Sequence, residues 1–245
     1  MALSLCLILS ACHDDESNAG LKTIHMSYGR YHYSVLYFDK RDQVVKVVQG
    51  LRNNETDSGE STYKVMYSGS RIMRIISTTE SRQYTYKYDG DRITESREYV
   101  EGKLATTHSF VYDGEGRVEV WLTKKTEGLV TIPFQRRFYT YDASGNATSI
   151  EWENYDPATR GYQHLSTARF LEFDDKKNTM SLFLNFDNPT HVDFVNNPAV
   201  RRIENANGSV GETTYTYEYN ADGYTTLQRD LVGGLDILYT FNPSN

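Results

Sequence analysis

From residue 23 onward the chain alternates aromatic or apolar positions with polar ones at a period of two, and turn residues interrupt the alternation at short intervals. Tyr84-Thr85-Tyr86-Lys87-Tyr88-Asp89-Gly90 shows the unit clearly. At that period the three tyrosines share one face of a strand, and Thr85 and Lys87 share the other. Asp89 then caps a tight turn, Gly90 supplies the positive φ that a hairpin needs, and Arg92-Ile93-Thr94 begins a β-branched return strand.

The unit recurs along the chain. Leu36-Tyr37-Phe38-Asp39, Tyr63-Lys64-Val65-Met66-Tyr67-Ser68-Gly69, Phe110-Val111-Tyr112-Asp113 and Tyr139-Thr140-Tyr141-Asp142 are copies. Phe170-Leu171-Glu172-Phe173-Asp174 and Tyr215-Thr216-Tyr217-Glu218-Tyr219-Asn220 follow, and Leu238-Tyr239-Thr240-Phe241-Asn242 is a half copy. Between copies lie other turn signals: Asp57-Ser58-Gly59, Glu101-Gly102, Glu127-Gly128, Asp156 to Gly161, and Gly233-Gly234. Strand and turn therefore alternate roughly every 10 to 15 residues, with no helical periodicity. Short hairpin loops join only antiparallel neighbours, so the pattern predicts an all-β, up-and-down antiparallel meander of about 14 to 16 strands over residues 23–245. A meander of that length must cover its second face, which predicts a sheet curled into a barrel-like or half-open shape. One irregular insertion is expected at about 187–212, where Asn188-Pro189, Asn196-Asn197-Pro198 and Asn205-Ala206-Asn207-Gly208 break the rhythm.

The N-terminus follows a different pattern. Residues 2 to 11 form an uncharged apolar run that ends in Leu9-Ser10-Ala11-Cys12. The run is far shorter than the roughly 20 residues of a membrane-spanning helix and suits the apolar core of a secretory signal. No Lys or Arg precedes it, a departure from the usual signal. Leu9-Ser10-Ala11-Cys12 resembles a bacterial lipobox, which implies a signal peptide over 1–11 and lipidation of Cys12. The two cysteines are Cys6 and Cys12, so cleavage before Cys12 leaves one thiol, the one the lipid consumes. Residues 12–22 then form a polar tether. Its triplet Asp14, Asp15 and Glu16 resembles the surface-export signal of Bacteroidota lipoproteins. The expected location is a lipid anchor in the outer membrane with the protein at the cell surface, the alternative being its periplasmic face. Membrane contact is expected through the anchor alone.

Composition narrows the partners. The net charge is −7, from 33 acidic and 26 basic residues, with no long basic run. That balance excludes nucleic acid, whose phosphates require clustered Lys and Arg. The 20 tyrosines against a thin aliphatic supply suit a wide, half-wet barrel interior, which amphipathic rings fill while their polar tips stay hydrated. Charged residues such as Lys87 and Arg136 at mid-strand argue against a lipid-facing barrel.

Tyr112-Asp113-Gly114-Glu115-Gly116-Arg117 and Tyr141-Asp142-Ala143-Ser144-Gly145-Asn146 resemble the YD repeats of Rhs and teneurin proteins. Combined with a lipobox, they resemble a group of Bacteroidota lipoproteins, a domain of unknown function with a porin-like fold. The resemblance implies a large curled antiparallel sheet and no activity.

Candidate chemistry is sparse. The histidines are scattered, and His191-Val192-Asp193 lacks a third ligand, so no metal is expected. Acidic pairs at turns are explained by capping and lack calcium-loop spacing. Glu151-Trp152-Glu153 is the most glycosidase-like patch, but catalytic carboxylates must face each other across a cleft. There is no Gly-x-Ser-x-Gly, no phosphate-binding glycine loop and no cysteine nucleophile. The expectation is a non-catalytic surface protein without cofactor that binds a glycan or polypeptide through Trp121, Trp152, Tyr155 and Tyr162. The alternative is an encapsulating scaffold related to the Rhs shell, with a glycan-active enzyme ranking behind both.

Overall fold

The computed structural model describes residues 22–29, 32–53 and 56–243, so the signal segment, Cys12 and Asp14 to Glu16 lie outside the described residues. The alternating pattern forms sixteen strands. The first eight are β1 (Lys22–Tyr28), β2 (His32–Phe38), β3 (Val44–Asn53), β4 (Thr56–Ser68), β5 (Arg71–Ser77), β6 (Arg82–Asp89), β7 (Arg92–Val100) and β8 (Lys103–Tyr112). The others are β9 (Val118–Glu127), β10 (Val130–Tyr141), β11 (Ala147–Asp156), β12 (Gly161–Phe173), β13 (Pro198–Asn205), β14 (Val210–Tyr219), β15 (Thr225–Asp230) and β16 (Asp236–Asn242). Each strand pairs antiparallel with its sequence neighbours, and β1 pairs with β16, for example Met26 with Tyr239. The sheet is therefore a closed up-and-down barrel, which removes every edge.

The aspartate turns all lie at one end. In the hairpin joining β8 to β9, Asp113 Oδ1 accepts from the backbone N–H groups of Glu115 and Arg117 at 3.0 and 2.9 Å. Gly116 holds φ at 84°, the left-handed geometry that closes a type I turn with a one-residue bulge. The ladder slips at the repeat aromatic itself: between Val111 and Tyr112, and likewise between Thr140 and Tyr141 and between Lys87 and Tyr88. The slip is repeated around one rim and adds local twist there. Asp57-Ser58-Gly59, expected as a turn, instead lies within β4.

The irregular segment sits earlier than expected. It is 174–197, between β12 and β13, and Asn205-Ala206-Asn207-Gly208 is an ordinary hairpin turn between β13 and β14. Asn-Pro and Asn-Gly carry the same turn signal inside a loop and at a hairpin, so the sequence alone puts the break too late. The segment folds into the barrel from the aspartate-turn end, with one turn of 3₁₀ helix over Thr179–Leu182. Its Phe186 ring packs on Tyr63 and Tyr84 at 4.7 and 5.4 Å, and its backbone carbonyl accepts from the Tyr86 hydroxyl at 2.6 Å. Phe194 packs on Phe170 at 4.6 Å. With the segment in place, Leu36, Ile75, Ile93 and Trp121 form a dry core beside it.

The neck of this plug is heavily bonded. Asn146 Oδ1 accepts from the N–H groups of Val195 and Asn196 at 2.9 and 2.8 Å. Asp174 accepts from the Asn197 backbone and side chain, and from the Tyr219 hydroxyl. On the other side, Thr225 donates to Asn197 Oδ1 at 2.8 Å, and Thr179 donates to the Thr225 carbonyl at 2.6 Å. Buried polar groups at a loop neck must be paired, and these are.

Candidate functional site

The strand register sorts side chains into lumen and outer wall. Trp121 pairs with Phe110 and Arg137, and Arg137 pairs with Trp152, which pairs with Ser166; all of these face inward. Glu151, Glu153, Tyr155 and Tyr162 occupy the alternating positions and face out.

Trp121 is fully buried. Its indole N–H donates to His108 Nδ1 at 2.9 Å, and His108 Nε2 lies 3.2 Å from Asp187 of the plug. An indole can only donate, so Nδ1 is the acceptor and the neutral imidazole carries its proton on Nε2, facing the carboxylate. The Arg137 guanidinium stacks over the Trp121 ring at 4.9 Å. His191 meets Trp121 and Tyr139 edge-on and bonds Asp193 at 2.8 Å. Trp121 is thus a wall-to-plug strut and unavailable to a ligand, which corrects the expectation that it contacts one. Burial drives the Tyr139 and Tyr84 phenols well above their ordinary pKa.

Past the plug the lumen becomes polar. Glu98 accepts from Tyr84 and Thr106 and pairs with Arg82. Around the wall, Gln135, Arg137, Trp152, Asn154 and Ser166 all retain partial exposure, and Gln49 is exposed. Gln135 and Asn154 hydrogen-bond across strands at 3.0 Å, and Arg137 donates to Gln135 at 3.1 Å. Arg137 has no carboxylate partner among the described residues. The lumen is therefore closed at one end and polar at the other, with Trp152 in its polar half.

Tyr155 and Tyr162 form an edge-on pair at 5.5 Å on the outer wall, with Arg136 over Tyr162 at 4.3 Å. Arg136 also pairs with Glu153. The four candidate aromatics thus fall on three separate surfaces: Trp121 in the core, Trp152 in the lumen, and the two tyrosines outside. Glu151 and Glu153 lie on the outer wall, on the opposite face of the sheet from Trp152, and Glu153 is paired with Arg136. Sequence reasoning missed His108, Asp187, Asn146 and Asp174. The available signal was the asparagine-rich stretch that follows the Phe170-Leu171-Glu172-Phe173-Asp174 copy, where the next copy comes unusually late.

No family model matches the sequence, and no curated protein matches it. Solved structures do. A porin-like protein from Bacteroides uniformis ATCC 8492 aligns over 91% of this chain and 96% of its own, with a TM-score of 0.59 at 14% identity. A porin-like protein from Bacteroides vulgatus ATCC 8482 aligns over 92% and 99%, with a TM-score of 0.60 at 13% identity. The chain has a porin-like fold.

The likeness is one of shape. The outer wall of this porin-like barrel carries ionised residues at mid-strand, many paired across strands: Lys87 with Glu95 at 2.8 Å, and Arg229 with Glu218 at 3.2 Å. Lys64, Lys124, Arg169 and Arg202 are exposed. A wall in contact with lipid needs an uninterrupted apolar band about 25 Å tall, and these charges interrupt it.

Proposed function

We propose that this protein is a non-catalytic binding protein, held by a lipid on Cys12 at the outer membrane and displayed at the cell surface. It takes a segment of glycan or polypeptide into the open half of its lumen. The observation that carries the reading is the position of Trp152: partly exposed, lumen-facing, and flanked in register by Arg137 and Ser166. A large ring beside a guanidinium, amides and hydroxyls offers a stacking face with hydrogen-bonding groups around it.

The topology supports the orientation. Lys22 opens β1 beside Phe38 and Asp42, at the plugged end. A tether from Cys12 would join the barrel there and leave the polar mouth pointing away from the membrane. The plug weighs against the second reading, an encapsulating scaffold, because a core filled to the level of Trp121 leaves no chamber for cargo. A glycan and peptide array separates the two. The binding reading expects a ligand that Trp152→Ala loses and that Tyr155→Ala and Tyr162→Ala keep. A blank array, or binding indifferent to Trp152, rejects it.

A further inference from the structure

A cavity of about 350 Å³ lies between the β1–β3 wall and the plug, on the side of the barrel opposite Trp152. Its body is apolar, made by Met26, Leu36 and Val47 of the wall and by Phe183 and Phe194 of the plug. Two phenyl rings and a thioether around one space favour a ring-shaped guest.

One edge of the cavity is polar and unspent. Ser34 is 3% exposed and lines the cavity, and its hydroxyl has no hydrogen-bond partner among the described residues. The hydroxyl faces the cavity, where a guest's polar group can take up its donor and acceptor. Gln49 lies directly across the ladder from Ser34, and its carboxamide is likewise unpartnered among the described residues. Asn185 adds an amide whose oxygen accepts from Asp187 N–H, leaving its NH₂ unspent. The only carboxylate in the lining, Asp193, is already bonded to His191. No Lys or Arg lines the cavity among the described residues, so an anionic guest would be desolvated there without a counter-charge.

We infer that this cavity is a second binding site, on the wall opposite Trp152, for a small neutral molecule with a ring and one hydroxyl or carboxamide group. Its volume falls at the small end of ligand sites. Ser34 and Gln49 hold the polar group, and the ring lies against Met26, Phe183 and Phe194.

The test uses the full chain with 2-phenylethanol, benzamide and cyclohexanemethanol, followed by saturation-transfer NMR and titration. At least one should bind. Ser34→Ala should weaken that binding about five-fold, the worth of one neutral hydrogen bond. Gln49→Trp, placed at an exposed position and so compatible with the fold, should fill the polar edge and abolish it. Benzoate should bind at least about ten-fold more weakly than benzamide. Circular dichroism confirms that both variants keep the barrel. The assignment is overturned if none of the three neutral probes binds, if binding survives Gln49→Trp, or if benzoate binds as well as benzamide.

Discussion

The Tyr141 hydroxyl donates to the backbone carbonyl of Val118 at 2.7 Å, one hairpin back around the barrel. The same bond joins Tyr112 to Ile93, Tyr88 to Ile72 and Tyr67 to Val44, and in β14 Tyr217, two residues before the turn aromatic, donates to Pro198. At three of the turns the arginine that follows reaches the other way: Arg117 stacks on Tyr141, Arg92 on Tyr112 and Arg71 on Tyr88. Tyrosine, aspartate, glycine and arginine thus have separate roles. Asp and Gly make the turn, Tyr ties it to the previous hairpin and Arg to the next. Gly116 is also where Arg92 passes, since a Cβ there would lie 2.7 Å from its Nη2.

Tyr141→Phe removes the hydroxyl and leaves the Val118 carbonyl without that donor. The expected loss is about 1 kcal/mol in urea unfolding, with Tyr112→Phe similar. Tyr162→Phe, on the outer wall, should cost less than about 0.5 kcal/mol. Equal effects at all three positions would contradict the inter-hairpin role.

The tyrosine ties also predict alkaline lability. Burial, the largest cause in each case, pushes the Tyr67 and Tyr88 phenols up to about 12. In the unfolded chain they ionise near 10. Between those values the unfolded state has released protons that the folded state keeps, so stability falls as pH rises. Urea midpoints should be insensitive to these groups below about pH 9 and drop steadily between about 10 and 12. Tyrosinate absorbance should appear late, with unfolding. An early, complete tyrosinate signal from a folded barrel would show that the phenols are not sequestered.

Asn146→Ala deletes the acceptor for two plug N–H groups at a site that is 1% exposed. Leaving those groups unpaired should cost about 2 kcal/mol or more. Hydrogen exchange across 174–197 should accelerate more than in β6 to β8. Uniform acceleration would mean that the plug does not open as its own unit.

The Trp121–His108 bond predicts a tautomer. Nitrogen NMR of the neutral ring should show His108 protonated on Nε2, and Trp121→Phe should mix the two tautomers. An Nδ1–H form in the native protein would contradict the wall-to-plug contact.

Much of the barrel was legible in the chain because each hairpin is local. Tyr139 and Tyr141 alternate on one face, Asp142 and Gly145 turn the chain, and the neighbour in sequence is the neighbour in space. Closure was not legible, since pairing of Met26 with Tyr239 is written in no local pattern. The plug shows in the sequence only as a broken rhythm, because its asparagines serve both as turn formers and as buried struts. The site fared worst. Trp121 and Trp152 look alike in sequence, and only the plug, packed by way of Phe186, Asp187 and His191, buries one fully and leaves the other part-exposed at the edge of the core.

That difference gives the most direct test. Trp121 and Trp152 are the only two tryptophans in the chain. In Trp121→Phe the remaining fluorescence belongs to Trp152, and in Trp152→Phe to Trp121. Acrylamide should quench Trp152 and leave Trp121 protected, and the array-selected glycan or peptide should shield Trp152 on titration. If Trp152 is as protected as Trp121 in the free protein, or if the bound ligand leaves its quenching unchanged, the lumen is not the binding site.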